Sequence, residues 1–125
     1  DIVFNLRFSN ELTQDDIKIK FEEILSSLDC QYEIIWNCSA EPFITDEGKL
    51  TRILQKVIKE TIGVNSNLST TGGTSDARFI SKHAKETVEF GPLNQTAHKV
   101  NENINLKDLD NLEKIYYAAL CEILL

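Results

Sequence analysis

Residues 70–102 read TTGGTSDARFISKHAKETVEFGPLNQTAHKVNE, and the rest of the chain is organised around them. The stretch holds three of the five glycines and one of the two prolines, with small polar residues at both turns. Adjacent Gly72 and Gly73, a Thr-Ser-Asp run able to start a helix, a Gly91-Pro92 turn and His98 among amides suit a backbone that approaches a ligand closely. Gly72-Gly73-Thr74-Ser75 follows an expected strand, about 67–70, and opens an expected helix, 76–83. Backbone N–H groups at such a junction form an anion or oxyanion site, helped by the helix dipole. The same pattern also fits a tight strand-to-helix turn with a Thr or Ser cap. It is neither a Walker A loop nor a GxGxxG fingerprint.

Upstream, Ile2, Phe4, Leu6 and Phe8 alternate with Val3, Asn5 and Arg7, the period of a strand with one apolar face. Thr13 and Asp16 have the spacing of a capping box. Ile17, Phe21, Ile24, Leu25 and Leu28 then share one helical face, and residues 32–38 (YEIIWNC) form a second strand pattern. Strand, helix and strand in this order predict a βαβ unit with parallel strands. Such a pair wants neighbours and a cover, so something beside these strands is expected to be missing. Residues 39–46, with Pro42, read as a hinge. Leu50, Ile53, Leu54, Val57, Ile58 and Ile62 predict a long amphipathic helix ended by Gly63. Thr87–Phe90 reads as a short strand. Leu106, Leu109, Leu112, Ile115, Tyr116, Ala119, Leu120 and Ile123 mark a final helix with Asn105 as its N-cap.

Composition bounds the function. The chain has 125 residues, 42% hydrophobic and 26% charged, and a net charge of −7. That charge leaves no basic stripe to neutralise phosphates, which argues against a nucleic-acid partner and against an anionic membrane surface. No apolar run approaches the roughly 20 residues of a membrane span. The opening DIVFNLRF begins directly on a strand pattern, which reads as part of something longer. Cys30, Cys38 and Cys121 lack zinc-type spacing, and three free thiols point to a reducing cytoplasm.

Among single residues, His98 sits in a polar loop between Asn94, Gln95, Thr96, Lys99 and Asn101. A loop imidazole suits metal binding or proton transfer, yet a lone histidine is more commonly a solvated surface group. Arg7, on the polar face of its strand, suits a bidentate carboxylate clamp or a plain surface charge. Asp76 and Arg78 are placed for a local structural pair, and His83 reads as surface. The acidic residues Glu22, Glu23, Glu41, Glu47 and Glu60 scatter without forming a catalytic pair. From the residues alone the function stays undecided.

TGGTSDARFI and EFGPLNQTAHKVNE together resemble the bacterial succinyl-diaminopimelate desuccinylases, within the dinuclear zinc aminopeptidase/aminoacylase-like amidohydrolases. FNLRF, WNCSAEPFIT, GKL and NLKDLDNLEKIY extend the resemblance over the whole chain, in the order of that family's final third. The resemblance implies an α/β (α+β mixture) architecture. Residues 1–40 would be the second half of a βαβ-type lid and dimerisation domain. Residues 41–125 would be the C-terminal part of a zinc-peptidase-like catalytic domain. It implies that His98 is a zinc ligand, that Asn94, Gly73 and Thr74 contact the substrate's polar ends, that Arg7 holds a carboxylate, and that Ser39 adds a contact at the hinge. The implied cofactors are two zinc ions, one exchangeable for cobalt, with only one ligand present here. The implied substrate is N-succinyl-LL-diaminopimelate, hydrolysed in the cytoplasm to succinate and LL-diaminopimelate for lysine synthesis by a homodimer paired through its lid. No catalytic residue is expected in this chain: the glutamate base and the other ligands would lie upstream, leaving these 125 residues inactive alone. Ala77, Ala40 and His83-Ala84 depart from the family pattern, and Ala77 or Ala40 would be strained at a positive φ. A related aminoacylase or dipeptidase, and a non-catalytic interaction remnant, are the alternatives.

Overall fold

The computed structural model describes residues 1–71 and 75–125. Four helices are present: α1 (Gln14–Ser26), α2 (Lys49–Ile62), α3 (Ala77–Ile80) and α4 (Leu106–Leu124). The chain separates into two compact units, Asp1–Ile44 and Thr45–Leu125.

In the first unit, α1 starts at the expected capping box. The Asp16 carboxylate accepts from the Thr13 hydroxyl at 2.7 Å and the Thr13 N–H at 2.9 Å, while the Asp16 N–H donates to Thr13 Oγ1 at 3.1 Å. Two orphan donors at the helix start are thereby satisfied. Phe21 stands at the middle of an aromatic row, its ring centroid 5.2 Å from Phe4 and 5.6 Å from Trp36, the latter edge-on at 84°. The Trp36 Nε1–H donates to Glu22 at 3.2 Å. Both flanking segments therefore meet the α1 face that the periodicity assigned to packing. No residue of α1 is fully buried, however, and Ile24 and Leu28 stay exposed.

The expected β-strands are not formed among the described residues. Residues 2–8 and 32–38 make no backbone bond to each other, and a strand exists only through a partner's N–H and C=O groups. The apolar alternation is real, but the unit holds no neighbouring strand to pair with it. The 67–70 segment is likewise unpaired, and Thr87 bonds a side chain instead. Its N–H donates to Thr45 Oγ1 at 3.2 Å, and the Thr45 hydroxyl donates to the Thr87 carbonyl at 2.7 Å.

The second unit is built on α2 packed against α4. Ile53, Val57 and Ile58 of α2 meet Ile115 and Ala119 of α4, with Leu54, Phe90 and Ala118 around them. Val57 and Ile115 are each 2% exposed, and burying each contributes about 2 kcal/mol. Tyr116 seats Phe90 at this core: the rings lie 5.7 Å apart and the Tyr116 hydroxyl donates to the Phe90 carbonyl. Gly63 ends α2 with φ of 73°, its N–H bonded to the Lys59 carbonyl at 2.9 Å. Asn105 caps α4 by accepting from the Lys107 N–H at 2.9 Å. Of the apolar stripe expected on α4, only Ile115 and Ala119 are fully buried; Leu109, Tyr116, Leu120 and Ile123 remain partly open to solvent because α2 is the one helix packed on α4 among the described residues. Lys56 and Glu122 pair across the two helices at 2.7 Å, a contact that holds the Lys56 ammonium above its ordinary pKa.

The N-terminus of α2 has an unusual cap. Gly48 occupies the cap position without a side chain, and Glu86 supplies the missing acceptor from far along the chain, taking the Leu50 N–H, 36 residues away, at 2.7 Å and the Lys49 N–H at 3.1 Å. A Cβ on residue 48 would collide with the Glu86 carboxyl, so the glycine makes room for the distant cap. Buried Thr51 completes the turn, its hydroxyl accepting from the Gly48 N–H at 2.8 Å and donating to the Gly48 carbonyl at 3.1 Å.

Glu86→Ala should lower unfolding stability by about 1 kcal/mol, the ordinary value of an N-cap, read as a lower urea midpoint at unchanged m. Gly48→Ala should move the midpoint the same way by expelling the carboxylate. A second outcome concerns acid. The Thr13 hydroxyl foremost, and the Thr13 N–H next, hold the Asp16 carboxyl below its ordinary value of 3.8. A lowered folded-state pKa contributes stability above the unfolded value and loses it as pH falls through the folded one. The helicity advantage of the native chain over Asp16→Ala should therefore be full at pH 7 and fade below about pH 4, followed by circular dichroism.

Candidate functional site

Of the expected site residues of the second unit, Asn94 and His98 share one loop, and Asn94 also lines an open depression. An open hollow of about 700 Å³ is lined by Ser75, Asp76, Thr87, Glu89, Phe90 and Asn94, among others. Two segments form it: the turn into α3, and residues 87–94 as they leave the Thr45 contact. Ser75 ties them together. Its hydroxyl donates to Glu89 and accepts from the Ala77 N–H at 3.0 Å, so one side chain caps α3 and anchors the facing wall. Gly73 and Thr74, both expected to contact substrate, lie outside the described residues, and Ser75 is the next residue in sequence.

Two expectations need correction here. The helix predicted over 76–83 is only Ala77–Ile80, followed by a turn, and four residues are too few to lend a useful dipole to an anion. The Asp76–Arg78 pair does not form; the Arg78 guanidinium lies 4.7 Å from the Phe79 ring centroid instead. The feared strain at Ala77 and Ala40 is absent, since neither has a positive φ; Ala77 is buried at the start of α3.

Asn94 and His98 share the 94–103 loop. Asn94 is exposed, and its carbonyl accepts from the Ala97 N–H at 3.1 Å, which starts the turn leading to His98. His98 is exposed, its side chain makes no hydrogen bond among the described residues, and its φ is 62°. Left-handed backbone is unfavourable for a residue with a Cβ by about 1–2 kcal/mol. Arg7 and Ser39 belong to the first unit, where both are exposed; Arg7 makes no ion pair among the described residues. His83 is exposed, as expected.

One imidazole does not make a metal site. No group of three or more His, Cys, Asp or Glu side chains among the described residues is placed to hold a metal ion. The cysteines are unpaired, with Cys30 and Cys38 exposed. His98 is sterically free to ligate, but zinc requires three or four protein donors, and this set does not supply them. No described helix is long and apolar enough to cross a membrane.

Residues 3–122 match the model of peptidase family M20/M25/M40. The chain belongs to that family. Family membership implies an α/β peptidase-like fold and the company of metal-dependent hydrolases. Among curated members, the succinyl-diaminopimelate desuccinylase of Thioalkalivibrio sulfidiphilus is 41% identical over 124 residues, covering 99% of this chain and 33% of that protein. The protein of the same name from Nitrosomonas europaea is 42% identical over 125 residues, covering 100% of this chain and 33% of that protein. The chain thus spans about a third of the length of these relatives.

Three residues that shape this hollow, its loop and the segment leading into them carry no signal that singles them out in the sequence: Glu89, Thr96 and Glu86. Glu89 falls within a stretch read as a strand, where its period gives no hint of a bond to Ser75. Thr96 was seen only as a polar neighbour of His98. The one usable sign was Gly48 at a helix start, which implies that the cap comes from elsewhere.

The backbone at position 98 is directly testable. His98→Gly should be neutral or stabilising by up to about 1 kcal/mol, because glycine takes the left-handed region freely. His98→Val should be destabilising by about 1–2 kcal/mol in urea unfolding. That ordering would show that histidine is not kept at this tip for stability.

Proposed function

We propose that this chain forms the C-terminal third of an M20-type amidohydrolase that cleaves N-succinyl-LL-diaminopimelate to succinate and LL-diaminopimelate. The observation carrying this reading is identity of 41% and 42%, over essentially the whole chain, to two proteins named for that reaction. In this reading residues 1–40 belong to a lid and dimerisation domain and residues 41–125 to the catalytic domain. The protein acts in the cytoplasm as a homodimer.

Each expected residue then has a task. Arg7 binds a substrate carboxylate through its paired guanidinium donors. Ser39 adds a hydroxyl contact at the hinge. Gly73 and Thr74 donate to one polar end of the substrate, and Asn94, in the lining of the hollow, orients an amide or carboxylate. His98 contributes one imidazole to a site of two zinc ions, one exchangeable for cobalt, whose other ligands and glutamate base come from the remaining two thirds of the protein. Those metals would supply Lewis-acid polarisation of the scissile amide. The exposed, unbonded imidazole of His98 supports its part in this assignment, since a ligand must keep a lone pair free.

A related aminoacylase or dipeptidase activity is separated by a substrate panel, in which N-acyl amino acids would outrun the succinylated diamine diacid. In the protein carrying this segment, His98→Ala is expected to reduce bound metal and hydrolysis together, each by at least tenfold, in line with the loss of a ligand. Retention of both would remove His98 from the site. The 125 residues alone should show no turnover with zinc or cobalt added.

A further inference from the structure

Thr96 makes two hydrogen bonds to the backbone of one residue seven positions away. Its hydroxyl donates to the Asn103 carbonyl at 2.8 Å and accepts from the Asn103 N–H at 3.1 Å. This closes residues 96–103 on themselves, and two further backbone turns lie inside the closure. The Lys99 N–H bonds the Thr96 carbonyl at 3.1 Å and the Glu102 N–H bonds the Lys99 carbonyl at 3.2 Å. Asn103 Nδ2 donates back to the Asn101 carbonyl at 2.7 Å, and Lys99 Nζ to the Gln95 carbonyl at 2.6 Å. Inside this ring are the only two non-glycine residues with positive φ among the described residues, His98 at 62° and Asn101 at 64°. Asparagine tolerates that region through its short polar side chain; histidine does so less readily and must be held there by its surroundings.

We infer that Thr96 is a positioning residue: by clamping Asn103 it holds His98 in the left-handed conformation that presents its imidazole outward. The inference rests on the reading of His98 as a functional residue, and its structural half stands without it. In this role Thr96 acts through the loop backbone and His98. Among the described residues its hydroxyl is the only side-chain group bonded to both the N–H and the C=O of Asn103, so the clamp and the polar group are one and the same.

The test uses the two histidines of the chain, His83 and His98, labelled with ¹⁵N. A strong intraresidue HN–Hα cross-peak reports positive φ at His98, with His83 as the internal reference. Thr96→Val keeps the side-chain shape and removes both bonds; Thr96→Ser keeps the hydroxyl. The expected result is loss of the positive-φ signature in Thr96→Val, its retention in Thr96→Ser, and unchanged helix content in both. Retention in Thr96→Val, or loss in Thr96→Ser, overturns the clamp. If Thr96→Val does not fold, the native chain still decides, because an unprotected Asn103 amide or a His98 with negative φ overturns the clamp as well. In the protein carrying this segment, Thr96→Val should lose about 10- to 100-fold in kcat/KM and Thr96→Ser should recover most of it. Absence of hydrolysis in all three proteins would instead sink the functional reading and leave the backbone result standing.

Discussion

The second unit depends on one carboxylate. Glu86 closes the start of α2 from a distance, and the absence of a side chain at Gly48 is what lets it in. The bond does more than satisfy orphan amides. It fixes the segment leading into residues 87–94 against the helix pair, with the Thr45–Thr87 contacts beside it and the Tyr116–Phe90 contact beyond. Helix packing at Val57 and Ile115 supplies the larger energy, but that energy is indifferent to where the loop wall of the hollow runs. The cap and the two threonine bonds decide it.

Helices were legible in this sequence because their signals are local. Thr13 with Asp16, Gly63 at a helix end, and Asn105 ahead of a leucine run each specify a terminus through groups within a few residues, and each cap forms as its spacing implies. Strands were not, because alternation in 2–8 and 32–38 describes a surface that wants pairing without providing the partner. The aromatic row from Phe4 through Phe21 to Trp36 preserves the layering that the pattern implies, in the absence of a ladder.

The candidate site was legible in part for a related reason. Asn94 and His98 are close in sequence, so their placement on one loop follows from the spacing alone. The Ser75–Glu89 link spans 14 residues and the Thr96–Asn103 link spans seven, and neither has a periodic signature. Sequence reading finds the groups that do chemistry more easily than the hydroxyls that hold them. Those hydroxyls are what turn a polar loop into a fixed geometry.

The first unit has a thermodynamic character of its own. Its helix α1 contains no fully buried residue, and Ile2, Val3 and Ile35 are almost wholly in water. The heat capacity of unfolding arises mainly from apolar surface newly exposed to solvent. Melting residues 1–44 would expose little that is not already hydrated, so a calorimetric scan would register them as a sloping baseline under the transition of the α2–α4 core.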